Sequence, residues 1–365
     1  MFINCDRKLL LLLIFLVTSI FSCRKKEPPL YLYTYEYELN LPQLYEISTA
    51  KWSPSGDKIL ILTCIPDDIG FFYKSFHFFI VDTTRKSRFE EVFSYPSENY
   101  SSLKFACWST DSTFIFEADT SSKGDNHNIF IIYEFNTSSR ETTRIYEEED
   151  NELLLRDAND QNFLFIKVAE NVFYAHNSGG VLSLYEKSLI DNSEPIRLTA
   201  LHPDTLLALS SVNSARYITD NKVVIEKTIA KSLNNYRPWI RRLELLNLSN
   251  NTHQLLKEYI CSFEDLEGIG FDVSPSGEWL IYSKDANFPA TFFKGDSLKL
   301  LSIVNPEIER SLILRNRDKK IFPYWLYAFQ AFDWSPNGDK ILCLRMSKKT
   351  REKKLYIIKF PEHIN

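Results

Sequence analysis

The chain has 365 residues, of which 14% are aromatic, and carries a formal net charge of −5. Aromatic and β-branched residues favour strands, and an all-β unit of this length can be a single domain. No basic stripe that could track a phosphate backbone is present, so nucleic acid is excluded as the expected partner.

Read from the N-terminus, Arg7 and Lys8 precede an unbroken apolar run from Leu9 to Val17, and Thr18 to Ser22 lead into Cys23. This is the charged start, apolar core and small-residue exit of a secretory signal. The core is shorter than the roughly 20 residues of a transmembrane helix. Ile20-Phe21-Ser22-Cys23 resembles a lipobox, the site at which bacterial lipoprotein signal peptides are cut. Ile20 departs mildly from the usual Leu, and Phe21 departs further from the usual small residue. The resemblance implies a signal peptide over 1–22, a lipidated Cys23 and a tether over 23–29. More than one acyl chain would be needed for lasting attachment. Arg24, Lys25 and Lys26 would face anionic headgroups, and Pro28-Pro29 would stiffen the tether. The expected location is the cell envelope, lipid-anchored, with the periplasmic side of the outer membrane favoured. A plain signal anchor with an incidental cysteine is the alternative.

Leu30 to Leu39 alternates Leu and Tyr with other residues and reads as a strand standing ahead of a repeat. The repeat begins with Trp52-Ser53-Pro54-Ser55-Gly56-Asp57-Lys58-Ile59-Leu60-Ile61. It returns as Trp334-Ser335-Pro336-Asn337-Gly338-Asp339-Lys340-Ile341-Leu342, and as Val273-Ser274-Pro275-Ser276-Gly277-Glu278-Trp279-Leu280-Ile281. A degraded copy starts at Trp108-Ser109-Thr110-Asp111. Two faint copies start at Arg156 and Arg216, which gives anchors at 52, 108, 156, 216, 273 and 334. Pro sets φ in the turn, Ser, Asn and Asp bond to the local backbone, and Gly supplies a positive φ. Each copy therefore predicts a strand, a tight hairpin and an apolar strand. A third strand follows, as in Phe78 to Asp82, and then a more polar fourth, as in Arg140 to Tyr146. Repeated four-stranded units imply a propeller, here of six blades over 30–365.

The repeat resembles the TolB-type propeller repeat, with its Trp/Phe-Ser-Pro-Asp-Gly-Lys turn. Three copies are close, with Ser or Asn in place of the Asp. The resemblance implies an all-β, six-bladed propeller and says little about activity, because this fold hosts many. The short stretch between Cys23 and the first repeat leaves no room for the α/β domain that precedes the propeller in TolB itself. The last unit, ending with Lys354 to Phe360, has only three strands. The strand at 30–39 is expected to be its fourth, on the outside, closing the ring.

No catalytic motif is found. The Ser-Pro-Ser-Gly turns only mimic a nucleophile elbow. The histidines at 77, 127, 176, 202, 253 and 363 have no metal-ligand spacing, so neither metal nor cofactor is expected. Asp157 to Asn162 lacks the spacing of a calcium loop and reads as a hairpin turn. Cys64, Cys107 and Cys343 lie in apolar runs and are expected as buried free thiols.

In an antiparallel blade the first-to-second and third-to-fourth turns share one face of the disc. The second-to-third loops and the links between blades share the other. The second set is long here and rich in aromatics, and long loops on a rigid scaffold commonly carry function. Tyr73, Tyr174, His176, Tyr236, Arg237, Trp239, Phe292, Lys294, Tyr324 and Trp325 are the candidate binding residues, since aromatics and Arg anchor interfaces. The leading reading is a monomeric, non-catalytic envelope lipoprotein that binds a protein partner or a glycan there. The rival is a propeller enzyme acting on polysaccharide or peptide in the central funnel. It would need carboxylates, His or Lys converging on the axis. A third reading is a sensory propeller merely tethered to the membrane.

Overall fold

A computed structural model describes residues 30–35, 46–66, 73–83, 89–96, 105–121, 128–149, 151–169, 183–191, 193–200, 210–230, 239–261, 271–284, 297–315, 327–347 and 353–360. Every regular element among them is a strand. The lipobox-like segment ending at Cys23 and the expected tether lie outside the described residues.

Six blades follow in chain order. Blade 1 is β2 (Glu46–Trp52), β3 (Lys58–Pro66), β4 (Tyr73–Asp82) and β5 (Phe89–Pro96). Blade 2 is β6 (Ala106–Trp108), β7 (Thr113–Ser121), β8 (Asn128–Asn136) and β9 (Thr142–Glu149). Blade 3 is β10 (Asn151–Ala158), β11 (Asn162–Ala169), β12 (Ser183–Ser188) and β13 (Ile196–Ala200). Blade 4 is β14 (Ser210–Thr219), β15 (Lys222–Ala230), β16 (Trp239–Asn247) and β17 (Thr252–Cys261). Blade 5 is β18 (Phe271–Val273), β19 (Trp279–Lys284), β20 (Ser297–Ser302) and β21 (Glu309–Arg315). Blade 6 is β22 (Tyr327–Trp334), β23 (Lys340–Ser347) and β24 (Lys353–Lys359), with β1 (Leu30–Tyr35) outside them. The first strand of each blade touches the first strand of the next, and β22 touches β2, so the inner strands form a closed ring.

The closing strand sits where the sequence places it. Thr34 of β1 lies opposite Ile358 of β24 in antiparallel register. It does more than was expected, because it also pairs in parallel with β21, Leu32 opposite Leu314. Blades 5 and 6 therefore share one eight-stranded sheet. Both outer strands would otherwise present unpaired backbone groups to a single gap, and one strand satisfies both edges.

The apolar runs exist because each middle strand is buried on both faces. Ile59 to Cys64 of β3 are buried without a break. Among the described residues six hydrophobic clusters result, one between each pair of neighbouring blades. Phe78, Phe114 and Phe116 fill the interface of blades 1 and 2, and Phe79, Val81, Leu342 and Leu355 that of blades 6 and 1. The turns behave as read. Gly56, Gly277 and Gly338 have φ of 78°, 70° and 73°, and each donates its N–H to the Ser three residues earlier. Asn159 makes the blade 3 turn, its Oδ1 accepting from the N–H of Gln161 and of Asn162. Cys64, Cys107 and Cys343 are buried, as expected.

The two faint anchors need correction. In the close copies the anchor pairs with the second residue of the next strand, as in Trp52 with Ile59 and Trp334 with Ile341. By that register the anchors of blades 3 and 4 are Ala158, opposite Phe163, and Tyr217, opposite Val223, rather than 156 and 216. Bulges between Leu155 and Asp157 and between Tyr217 and Thr219 shift the count. Neither turn has the Ser-Pro-x-Gly that would pin the alignment.

Candidate functional site

With the anchors corrected, the residue just before each one forms a set of six, one per blade: Lys51, Cys107, Asp157, Arg216, Asp272 and Asp333. These sit on the inner strands, near their hairpin ends, where the blades converge on the axis. Four of the six are charged and buried, and Asp157 is half-buried.

The three carboxylates act alike. Asp157 Oδ2 accepts from the N–H of Tyr217 at 2.9 Å. Asp272 Oδ2 accepts from the N–H of Trp334. Asp333 Oδ2 accepts from the N–H of Trp52 at 2.5 Å. In every case the donor is the anchor of the following blade. The repeat thus builds its own clasp, a charge-assisted hydrogen bond from one blade to the backbone of the next. Glu117 makes a related bond from β7 to the N–H of Leu155, and the indole N–H of Trp108 donates to the Lys51 carbonyl at 3.1 Å.

The two cations complete the ring. Lys51 Nζ lies 2.6 Å from Asp333 Oδ1, and Arg216 Nε lies 3.6 Å from Asp272 Oδ1. Arg216 also donates to the carbonyl of Arg156 in blade 3. Phe105, just ahead of β6, has the Lys51 ammonium 6.0 Å and the Arg216 guanidinium carbon 5.4 Å from its ring centroid. Its π-face attracts both cations, which come from blades 1 and 4, on opposite sides of the axis.

Burial governs the protonation of this ring. It pushes Asp272 up from 3.8 to about 7, with Asp333 adding to the rise while Lys51, Arg216 and the Trp334 N–H oppose it. It also raises Asp157, against the pull of Arg216 and Lys51. The Cys107 thiol is held well above its ordinary range, first by burial and then by Asp157. Carboxylates and cations therefore do converge on the axis, which is the pattern the enzyme reading requires. The carboxylates are committed to backbone N–H groups of neighbouring blades.

The ring was missed in the sequence reading. Lys51, Cys107, Asp272 and Asp333 stand in plain register before their anchors, but the sequence reads Asp157 as part of a turn and Arg216 as an anchor. The candidates Tyr174, His176, Tyr236, Arg237, Phe292, Lys294, Tyr324 and Trp325 lie outside the described residues. Tyr73 and Trp239 are the first residues of β4 and β16, at the loop-rich end of their blades, with only their backbones described. The hairpin face is less bare than expected. Ile190 is 74% and Val304 76% exposed, each on a third-to-fourth turn. Single exposed apolar residues of this kind are common on protein surfaces.

No family model matches the chain, and no curated protein matches it. Among solved structures, the GH93 α-L-arabinofuranosidase of Fusarium graminearum in complex with arabinobiose is similar with a TM-score of 0.53 at 9% identity, over 88% of this chain and 96% of that one. An oligogalacturonate lyase in complex with manganese is similar with a TM-score of 0.50 at 12% identity, over 86% of this chain and 76% of that one. A putative TolB from Agrobacterium tumefaciens is similar with a TM-score of 0.48 at 10% identity, over 87% of this chain and 91% of that one. At these identities the likeness shows the fold alone, a β-propeller, here of six blades.

Proposed function

We propose that this protein is a cell-envelope lipoprotein that binds a protein partner or a glycan on the loop-rich face of its propeller. The observation that supports the reading is the use of the axial carboxylates. Asp157, Asp272 and Asp333 each hold the backbone of the next blade, so the axis works as a brace. That leaves recognition to the loops, where Tyr73, Tyr174, His176, Tyr236, Arg237, Trp239, Phe292, Lys294, Tyr324 and Trp325 are placed by sequence. The anchor is Cys23, and the membrane would be reached through its acyl chains.

Two measurements test this. Cys23→Ser should release the protein from membranes, and wild type should carry an acyl mass on Cys23. A wild-type protein with no acyl mass, or a Ser variant that stays membrane-bound, defeats the lipoprotein reading. In pull-downs from membranes, Trp239→Ala and Trp325→Ala should weaken capture of the partner, since a central aromatic commonly contributes about 2 kcal/mol or more. Asp57→Ala and Asp339→Ala, on the hairpin turns, should leave capture unchanged. The opposite pattern would place binding on the hairpin face.

A second reading has one observation behind it. Asp272, raised to about 7 beside Arg216, has the poise of an acid–base group. An enzyme of this kind would act on polysaccharide or peptide at the funnel, and its turnover would disappear in Asp272→Asn protein that remains folded.

A further inference from the structure

A second polar constellation lies away from the axis, on the face of blade 1 turned toward blade 6. Ser75 and His77 are two residues apart on β4, so their side chains leave the same face. That face continues into Phe79 and Val81, which pack with Leu342 and Leu355 of blade 6. Phe76 and Phe78 fill the opposite interface. Ser75 Oγ is 2.7 Å from His77 Nε2, and His77 Nδ1 is 2.8 Å from Glu91 Oε1. Glu91 reaches this face through a bulge in β5. Phe78 pairs with Phe93 but Phe79 pairs with Glu91, so Val92 is the inserted residue. In an unbroken ladder Val92 would oppose Phe79, and Glu91 would point to blade 2.

The chemistry follows from the order of contacts. A carboxylate on Nδ1 selects the tautomer with its proton there, which leaves the Nε2 lone pair to accept the Ser75 hydroxyl proton. A hydroxyl so held is an activated nucleophile. The imidazole is 13% exposed and the Glu91 side chain 41%, and Ser75 is partly exposed, so solvent reaches both ends of the relay.

We propose that Ser75, His77 and Glu91 form a nucleophilic relay that takes the acyl group from an uncharged carboxylic ester. This goes beyond the binding reading and rests on neither the axial ring nor the loop aromatics. Phe79 and Val81, farther along the face, are buried against blade 6, so a substrate would meet the partly exposed Ser75 from the solvent side, and the order hydroxyl, imidazole, carboxylate is the one that acyl transfer uses. Ser75 Oγ bonds to the carbonyl carbon as its proton passes to His77 Nε2. The bond to the leaving alcohol breaks, and the alcohol oxygen takes that proton. Water then attacks the acyl carbon and gives a proton to His77. The acid departs as that proton returns to Ser75 Oγ. Ser75 and His77 are the catalytic residues, and Glu91 is a positioning residue.

The test uses the full chain with p-nitrophenyl acetate and a fluorophosphonate probe. The probe should add to Ser75, as located by peptide mass spectrometry. Ester hydrolysis should exceed that of Ser75→Ala by about 100-fold or more, the low end of general-base assistance. His77→Gln should abolish labelling. Glu91→Gln should lower kcat and alter the pH profile while leaving KM unchanged. Melting curves identify any variant that fails to fold, and the site of labelling in wild type decides the matter alone. Absent labelling of Ser75, or a folded Ser75→Ala protein that hydrolyses the ester as fast as wild type, overturns the proposal. Labelling of Ser75 is read on purified protein with no partner present, so failure of this proposal and failure of the binding reading are scored separately.

Discussion

Asp333 of the last blade accepts the backbone N–H of Trp52 in the first at 2.5 Å, and with its other oxygen holds Lys51 Nζ at 2.6 Å. One side chain thus binds two successive residues that are more than 280 positions away in sequence. The ring is therefore closed twice, by β1 on the outside and by this clasp at the axis. The outer closure is a strand ladder, and the inner one is a buried ion pair.

Breaking the inner closure should be costly. Asp333→Ala leaves the Lys51 ammonium buried without its carboxylate and the Trp52 N–H without its acceptor. Removing one partner of a buried pair typically costs about 3–5 kcal/mol. Urea denaturation should show a loss of that order. Adding Lys51→Met to the same variant should recover part of it, because an apolar side chain needs no counter-charge. A loss no larger than that of an exposed-turn control such as Asp57→Ala would show that the clasp contributes little.

The folded protein holds Asp272 at about 7 against an ordinary 3.8. Between about pH 4 and 7 the folded state keeps a proton that the unfolded state has lost. Stability contributed by this group is therefore full below about 4 and falls as pH rises toward 7, by at most about 1.4 kcal/mol per unit. Melting temperature should decline over that window, and Asp272→Asn should flatten the decline. An unchanged slope in the variant would assign the pH dependence to other groups.

Deleting residues 27–40 removes β1 and bares the edges of β21 and β24 together. The melting temperature should drop sharply and the truncated protein should self-associate, since exposed edges pair with other chains. A monomeric deletion with wild-type melting would mean that β1 is dispensable.

The three turn glycines should not respond equally to alanine. All have positive φ, which costs an L-residue about 1 kcal/mol or more. A Cβ on Gly277 would also come within 2.6 Å of Ile218 Cγ2, whereas one on Gly338 meets nothing closer than 3.9 Å. Ile218 is β-branched and stiff at χ1, so it yields poorly. Gly277→Ala should therefore lower stability measurably more than Gly338→Ala in parallel denaturation curves.

Local chemistry made most of the fold legible. The Ser-Pro-x-Gly turns around Gly56, Gly277 and Gly338 mark three blades without reference to the rest of the chain. Turn geometry is set by the residues within it. The run Lys58-Ile59-Leu60-Ile61-Leu62 announces a strand buried on both faces, and a three-stranded last unit calls for the strand at 30–39. The faint blades carry no such mark. Bulges at Leu155 and Tyr217 add residues that no turn motif reveals, which displaces the apparent anchors.

By itself, then, the sequence determined the all-β class, the six repeats and the strand that closes them, because turns and alternation are encoded within a few residues. Only the tertiary structure decided what lies at the axis and on the blade faces. Lys51 and Asp333, or His77 and Glu91, meet because blades close in a ring and because a bulge turns one strand over. Those contacts depend on register between distant segments, and a one-residue shift sends a side chain to the other face. Asp157 shows the difference: its composition reads as a turn, while its place in the ring makes it a clasp on Tyr217.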